Sequence, residues 1–134
     1  MDFSASSEAA LRCAVKLAQR LNGRAVLVHA FDPSGSPRLD EARVREFRNR
    51  TLDQRLNKTT SVSQADPFIM ESIVEPGDPV KVILDQAKRL RADLIVMGTN
   101  GRRGVQRLVL GSVAESVVRR AGCPVFVVKQ RENY

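Results

Sequence analysis

The chain has 134 residues, 43% of them hydrophobic and 28% charged, with a formal net charge of +7. That length makes a single domain over residues 1–134, able to bury a core without disulfide staples, and no apolar run approaches the roughly 20 residues of a membrane span. One histidine and two distant cysteines, Cys13 and Cys123, without CxxC spacing argue against a metal or redox centre and for buried thiols in a reducing cytoplasm. Met1 leads straight into an acidic, Ser-rich start, with no secretory pattern. The positive charge is dispersed. Between Glu71 and Gln130 the only aromatic residue is Phe126, in a core-like strand, so there is no stacking platform for single-stranded nucleic acid. Neither a membrane nor a nucleic acid is the expected partner.

From Ser6 to Asn22 the apolar positions Ala10, Leu11, Ala14, Val15, Ala18 and Leu21 recur at helical spacing. Ser4, Ser6 and Ser7 are N-cap candidates, and Asn22-Gly23 closes the helix. Arg24 to Phe31 (RAVLVHAF) reads as a strand buried on both faces, which makes His29 a core histidine rather than a catalyst. Asp32-Pro33-Ser34-Gly35-Ser36-Pro37 breaks the chain. Arg38 to Lys58 reads as a surface helix, with Glu41–Arg45 and Glu46–Arg50 as i,i+4 pairs. Thr59 to Asp66 is polar linker. Pro67 to Val74 is a strand and Glu75-Pro76-Gly77 a turn. Asp78-Pro79 supplies the N-cap and first residue of a helix running to about Leu90. Ala92 to Gly98 (ADLIVMG) is a second buried strand, Leu110 to Ala121 a helix stopped by Gly122, and Pro124 to Lys129 the last strand. Strands alternating with helices imply βαβ units and a parallel sheet with right-handed crossovers.

The stretch from Met97 to Ser112 (MGTNGRRGVQRLVLGS) concentrates glycine. In a parallel α/β sheet, ligands bind beyond the carboxyl ends of the strands, and Gly98 stands at such an end. Gly98 and Gly101 permit a sharp turn and a close backbone approach. Gly111-Ser112 opens a helix whose free N–H groups and dipole favour an anion. The pattern is neither GxGxxG nor a Walker A loop. From physics alone it is equally a tight turn and a helix start, and Arg102 and Arg103 are as well explained as solvated surface.

These residues resemble the universal stress protein family. The family's nucleotide motif is Gly-x-x-Gly, nine residues, then Gly-Ser or Gly-Thr; here stand Gly98-Thr99-Asn100-Gly101, nine residues from Arg102 to Leu110, and Gly111-Ser112. Asp2-Phe3-Ser4 is similar to the end of the family's first strand, VLVHAFDP to its second, and VEPGDPVKVILDQA to its third strand, turn and helix. The resemblance covers nearly the whole chain, residues 34–66 being generic. It implies a Rossmann-like three-layer α/β/α fold with a parallel sheet of order 3-2-1-4-5. It also implies ATP, with or without magnesium, as the bound nucleotide of a cytoplasmic, usually dimeric protein. By that pattern Gly98, Gly101, Gly111 and Ser112, with Arg102 as optional help, hold phosphates and ribose. Asp2, Ala30, Met97 and Val113 lie along the adenosine. The last strand pairs with its twin, placing Val125, Val127 and Val128 in a dimer interface.

One departure stands out. The family's first strand, about six residues before Asp-Phe-Ser, is absent, and in the family's sheet that strand is central. Its loss unpairs two strand edges at a cost of several kcal/mol. A segment ahead of Met1 in the natural protein, another segment or a partner chain in the gap, or strands closed up into a different order would each answer it. The first accounts best for the sequence, with some filling of the gap. Asp2 is then exposed to fraying at the chain start. Two functions are weighed: a nucleotide-dependent dimeric switch of the stress response, with at most slow ATP hydrolysis or autophosphorylation, and a dimeric scaffold for an unidentified protein partner that binds no nucleotide. No catalytic set is legible.

Overall fold

The computed structural model describes residues 1–56, 69–99 and 110–129. Four helices and four strands alternate: α1 (Ala5–Leu21), β1 (Ala25–Phe31), α2 (Pro37–Leu56), β2 (Ile69–Pro76), α3 (Pro79–Arg89), β3 (Ile95–Gly98), α4 (Ser112–Arg120) and β4 (Val125–Val128). All pairing among them is parallel.

Local sequence explains the ends. Ser4 caps α1 from an extended conformation, its Oγ accepting the Ser7 N–H at 3.2 Å. Asn22 takes the left-handed conformation at φ 50, and both its N–H and that of Gly23 return to the Ala18 carbonyl. Asp78 caps α3 through the Lys81 N–H at 2.9 Å, with Pro79 behind it. The i,i+4 ion pairs among the described residues are Glu8–Arg12, Lys81–Asp85 and Glu115–Arg119. The two expected on α2 do not form; Arg50 lies instead over the Phe47 ring, 5.9 Å from its centroid. Helix α2 turns Val44, Phe47 and Thr51 inward and leaves Leu39 exposed.

Helix α1 packs beside α2 and α3 beside α4, with strands between them, in the expected layered arrangement. Leu11, Val15 and Phe47 form a core cluster against which Met1, Phe3 and Leu27 pack. Phe3 holds a positive φ of 62, unusual for a bulky residue, and spends it on packing: its ring centre lies 4.7 Å from that of His29 and 5.6 Å from that of Phe47.

The sheet is split. β1 pairs with β2, and β3 pairs with β4, as two separate two-stranded sheets. The strands keep the pairings expected on either side of the missing strand and do not close up into another order. A cleft of about 1330 Å³ runs between β1 and β3, lined by both strands and by α1 and α3. This corrects two expectations. The strand from Arg24 to Phe31 is not buried on both faces: within β1 only His29 and Phe31 are buried, the rest being half-buried. The ADLIVMG stretch forms ladder only from Ile95 to Gly98, over the four residues that β4 can match. The cysteines are half-buried free thiols rather than buried ones.

Candidate nucleotide site

At the carboxyl ends of β1 and β3 the cleft opens into a mouth. Asp2, Ala30, Met97, Gly98, Gly111, Ser112 and Val113 all line it, although they come from four separate parts of the chain. Gly101 and Arg102 lie outside the described residues, as do Arg103, Gly104 and Arg107.

Asp2 is firmly held. Its Oδ1 accepts from the Ser4 amide at 3.1 Å, the Ser4 hydroxyl at 2.6 Å and the Ser7 hydroxyl at 2.6 Å. Burial alone would push its carboxyl up; the hydrogen bonds from Ser4 and Ser7 outweigh that and hold it below the usual carboxylate range. This segment is therefore tied into the fold at the chain start. Besides the Asp2 bonds, the Met1 amine donates to the Val28 carbonyl, and its burial, against the pull of Asp2, lowers its pKa to about 6. His29 ties the same segment to α2. Its Nδ1 donates to the Met1 carbonyl at 2.6 Å, since a carbonyl can only accept, and its Nε2 faces the Asp40 carboxyl at 2.9 Å. The core role expected of His29 is the one it has.

Gly98 earns its missing side chain in a way the sequence did not suggest. A Cβ there would stand 2.6 Å from Ser6 Oγ and 2.7 Å from the Ser6 carbonyl carbon. The glycine lets the first turn of α1 sit against the end of β3. Gly111 is the N-cap of α4, with φ −59 and no side-chain cap. Its own N–H donates to the Thr99 carbonyl at 2.7 Å, so it closes the loop instead of facing a ligand. The amides left for an anion are those of Ser112, Val113 and Ala114, which no intrahelical carbonyl can reach, and all three residues line the cleft. Ser112 is exposed and Val113 half-buried.

The residues that sequence reasoning missed are Ser6, Thr99 and Asp40. Ser6 is 5% exposed and Asp40 anchors a buried histidine. Local pattern marks Ser6 only as an N-cap candidate and Thr99 only as a position within the glycine motif; the contacts they and Asp40 make are defined by partners distant in sequence. At the opposite end of the sheet system, β4 pairs with β3 alone. Val125, Val127 and Val128 are half-buried there, and Phe126 is 49% exposed. Among the described residues no group of His, Cys, Asp and Glu could hold a metal, and no helix is long and apolar enough to cross a membrane.

Comparison with known proteins agrees with this fold. The universal stress protein family matches residues 1–129. A putative universal stress protein of Staphylococcus aureus is 33% identical over 136 aligned positions, covering 98% of this chain and 82% of that protein. A universal stress protein of Methanocaldococcus jannaschii is 54% identical over a shorter stretch of 54 residues, 40% of this chain and 32% of the relative. Among solved structures, a universal stress protein in complex with cAMP superposes with a TM-score of 0.67 at 26% identity, over 96% of this chain and 91% of its own.

Proposed function

Because this chain belongs to the universal stress protein family, we propose that it is an adenine-nucleotide-binding regulatory protein, with ATP as the nucleotide. The observation that carries this reading is the convergence of Asp2, Ala30, Met97, Gly98 and the start of α4 on one mouth. The cAMP complex of a similar protein supports the same ligand class. In this reading the phosphates lie on the amides of Ser112, Val113 and Ala114, where the helix dipole favours negative charge. Gly101 and Arg102 flank them from the loop. The adenosine lies along Asp2, Ala30, Met97 and Val113. Magnesium, where ATP carries it, comes with the phosphates. Binding acts as a switch by changing the surface offered to a partner, in a homodimer that responds to stress. No chemical step is assigned to any residue.

Calorimetry and thermal shift with ATP, AMP and cAMP test the reading. Ser112→Asp separates ligand binding from folding. An aspartate in the first turn suits the helix dipole, contributing about 0.3–1 kcal/mol to stability, yet it repels phosphate. The expected outcome is an unchanged or higher melting temperature without ligand and at least tenfold weaker ATP binding, about 1.4 kcal/mol. Equal ATP affinity in both proteins would put the phosphates elsewhere.

One observation favours a second reading. Both described motif glycines have structural partners, Gly98 against Ser6 and Gly111 on Thr99. A dimeric scaffold without nucleotide would need them equally. A wild-type protein that responds to no adenine nucleotide would overturn the nucleotide reading and leave this one.

A further inference from the structure

His29, the one histidine of the chain, is buried and bonds two segments that meet at the mouth. Its Nδ1 donates to the Met1 carbonyl, next to Asp2, and its Nε2 stands 2.9 Å from Oδ1 of Asp40 in the first turn of α2. Asp40 in turn borders the loop that leaves β1. Its amide donates to the Ser36 carbonyl at 3.2 Å, and a Cβ on Gly35 would lie 3.7 Å from its Oδ2. Asp32, Gly35 and Asp40 line the cleft together with Ala30. Both partners of the ring are acceptors, and that fixes a proton count. A neutral imidazole has one N–H, which the Met1 carbonyl takes. Nε2 would then aim a lone pair at a carboxylate, so the contact needs one further proton. Imidazole is the stronger base by more than about two orders of magnitude in water, which puts that proton on Nε2. The Phe3 ring, 4.7 Å from that of His29, suits a cation there. The other charged groups lining the cleft are the Met1 amine and Asp2 at the chain start, Asp32, Arg43 on α2 and Glu71 on β2, with Arg24, Arg91 and Asp93 before the amino ends of β1 and β3; the stretches of α1 and α3 that line it are uncharged. Glu75, opposite Ala30 on β2, is bonded to Gln86.

We propose, resting on the reading of the mouth as an adenine-nucleotide site, that the proton shared by His29 and Asp40 regulates it: the pair holds the adenosine side in its binding shape when protonated and releases it as pH rises. Without the proton, the Nε2 lone pair and the carboxylate repel, and a half-sequestered carboxylate has lost its donor. Relief is local. The first turn of α2 and the loop from Asp32 to Ser36 move away from β1, while Leu11, Val15 and Phe47 stay packed in the core. Histidine ordinarily changes charge between about pH 5 and 8, so the site loses affinity across neutrality.

The test compares ATP binding by the full chain and by Asp40→Asn from about pH 5.5 to about pH 8.5. The asparagine amide donates to Nε2 in place of the proton, so the contact survives at every pH. The affinity of wild type, divided by that of Asp40→Asn at the same pH, should fall at least about fivefold over the range. Titration of ATP itself cancels in this ratio, as does that of the Met1 amine, which burial lowers to about 6. His29→Gln, which cannot titrate, replaces Asp40→Asn in the ratio if that variant does not fold. Without ligand, the ring nitrogen NMR signals of the single histidine should show two protons at the acid end in wild type. A ratio that falls less than fivefold, or a ring carrying one proton at the acid end, would overturn the regulation and leave the nucleotide site standing. Absence of ATP binding at every pH would overturn the nucleotide reading, and the regulation with it.

Discussion

Asp2 shows how one side chain can be read two ways. Its carboxylate sits at the mouth of the candidate site, and it also collects three hydrogen bonds from Ser4 and Ser7. The second role is visible without a ligand. A carboxyl held below its unfolded value of about 3.9 contributes stability that is fully present above that pH and is lost as pH falls through the folded value. Asp2→Asn should therefore be less stable than wild type at pH 7, and the gap should close progressively below about pH 4. Denaturant melts at several pH values measure it. A gap that persists unchanged to pH 2 would mean that the side chain's shape, not its charge, holds the terminus. The sequence shows Asp2 and the serines side by side, but not that Ser7 Oγ turns back to Asp2, because that depends on where the first turn of α1 begins.

At the scale of elements, α1 and β3 meet through Gly98. The Ser6 carbonyl carbon would lie 2.7 Å from a Cβ there, and this is backbone, which cannot rotate away. Gly98→Ala should cost about 1–3 kcal/mol by overpacking, read as a lower denaturation midpoint, and Ser6→Ala should not rescue it. Full rescue by Ser6→Ala would show that only the hydroxyl is in the way. Most elements were legible because each carries its own period and cap: α1 between Ser4 and Asn22, α3 behind Asp78-Pro79. The glycine motif was legible as spacing. What spacing could not reveal is that Gly98 answers to Ser6 and Gly111 to Thr99, contacts made only after the helices pack. Strand lengths were misjudged for the same reason. Ala92 to Leu94 have the composition of a strand, but a ladder extends only as far as a neighbour does, and β4 is four residues long. Of the ion pairs expected on α2, Glu46–Arg50 gives way to Arg50 over the Phe47 ring, a competition that charge spacing ignores; nothing in the structure explains the missing Glu41–Arg45 pair.

For the whole molecule, the split sheet has more strand edges than a closed one. Two face the cleft, and another belongs to β4, the edge that the family resemblance assigns to a twin across a two-fold axis. Phe126 and Val118 are exposed on neighbouring elements there, at 49% and 45%, which suits an interface between copies. Val127→Lys should convert a dimer to monomer in light scattering while leaving ATP binding within a factor of about two, since β4 does not line the mouth. A dimer that survives the substitution would move the interface to another surface.

The bond from the Gly111 amide to the Thr99 carbonyl bears on how the motif's length should be understood. It joins two points about a dozen residues apart, so folding must close a loop of that size whatever the loop does. Closure entropy rises only with the logarithm of length. Two added residues would cost roughly 0.2 kcal/mol, far below what a cavity or a lost cap costs. The fold is therefore almost indifferent to whether nine residues or eleven separate Gly101 from Gly111. If that number is held fixed, it is held by whatever the loop must reach.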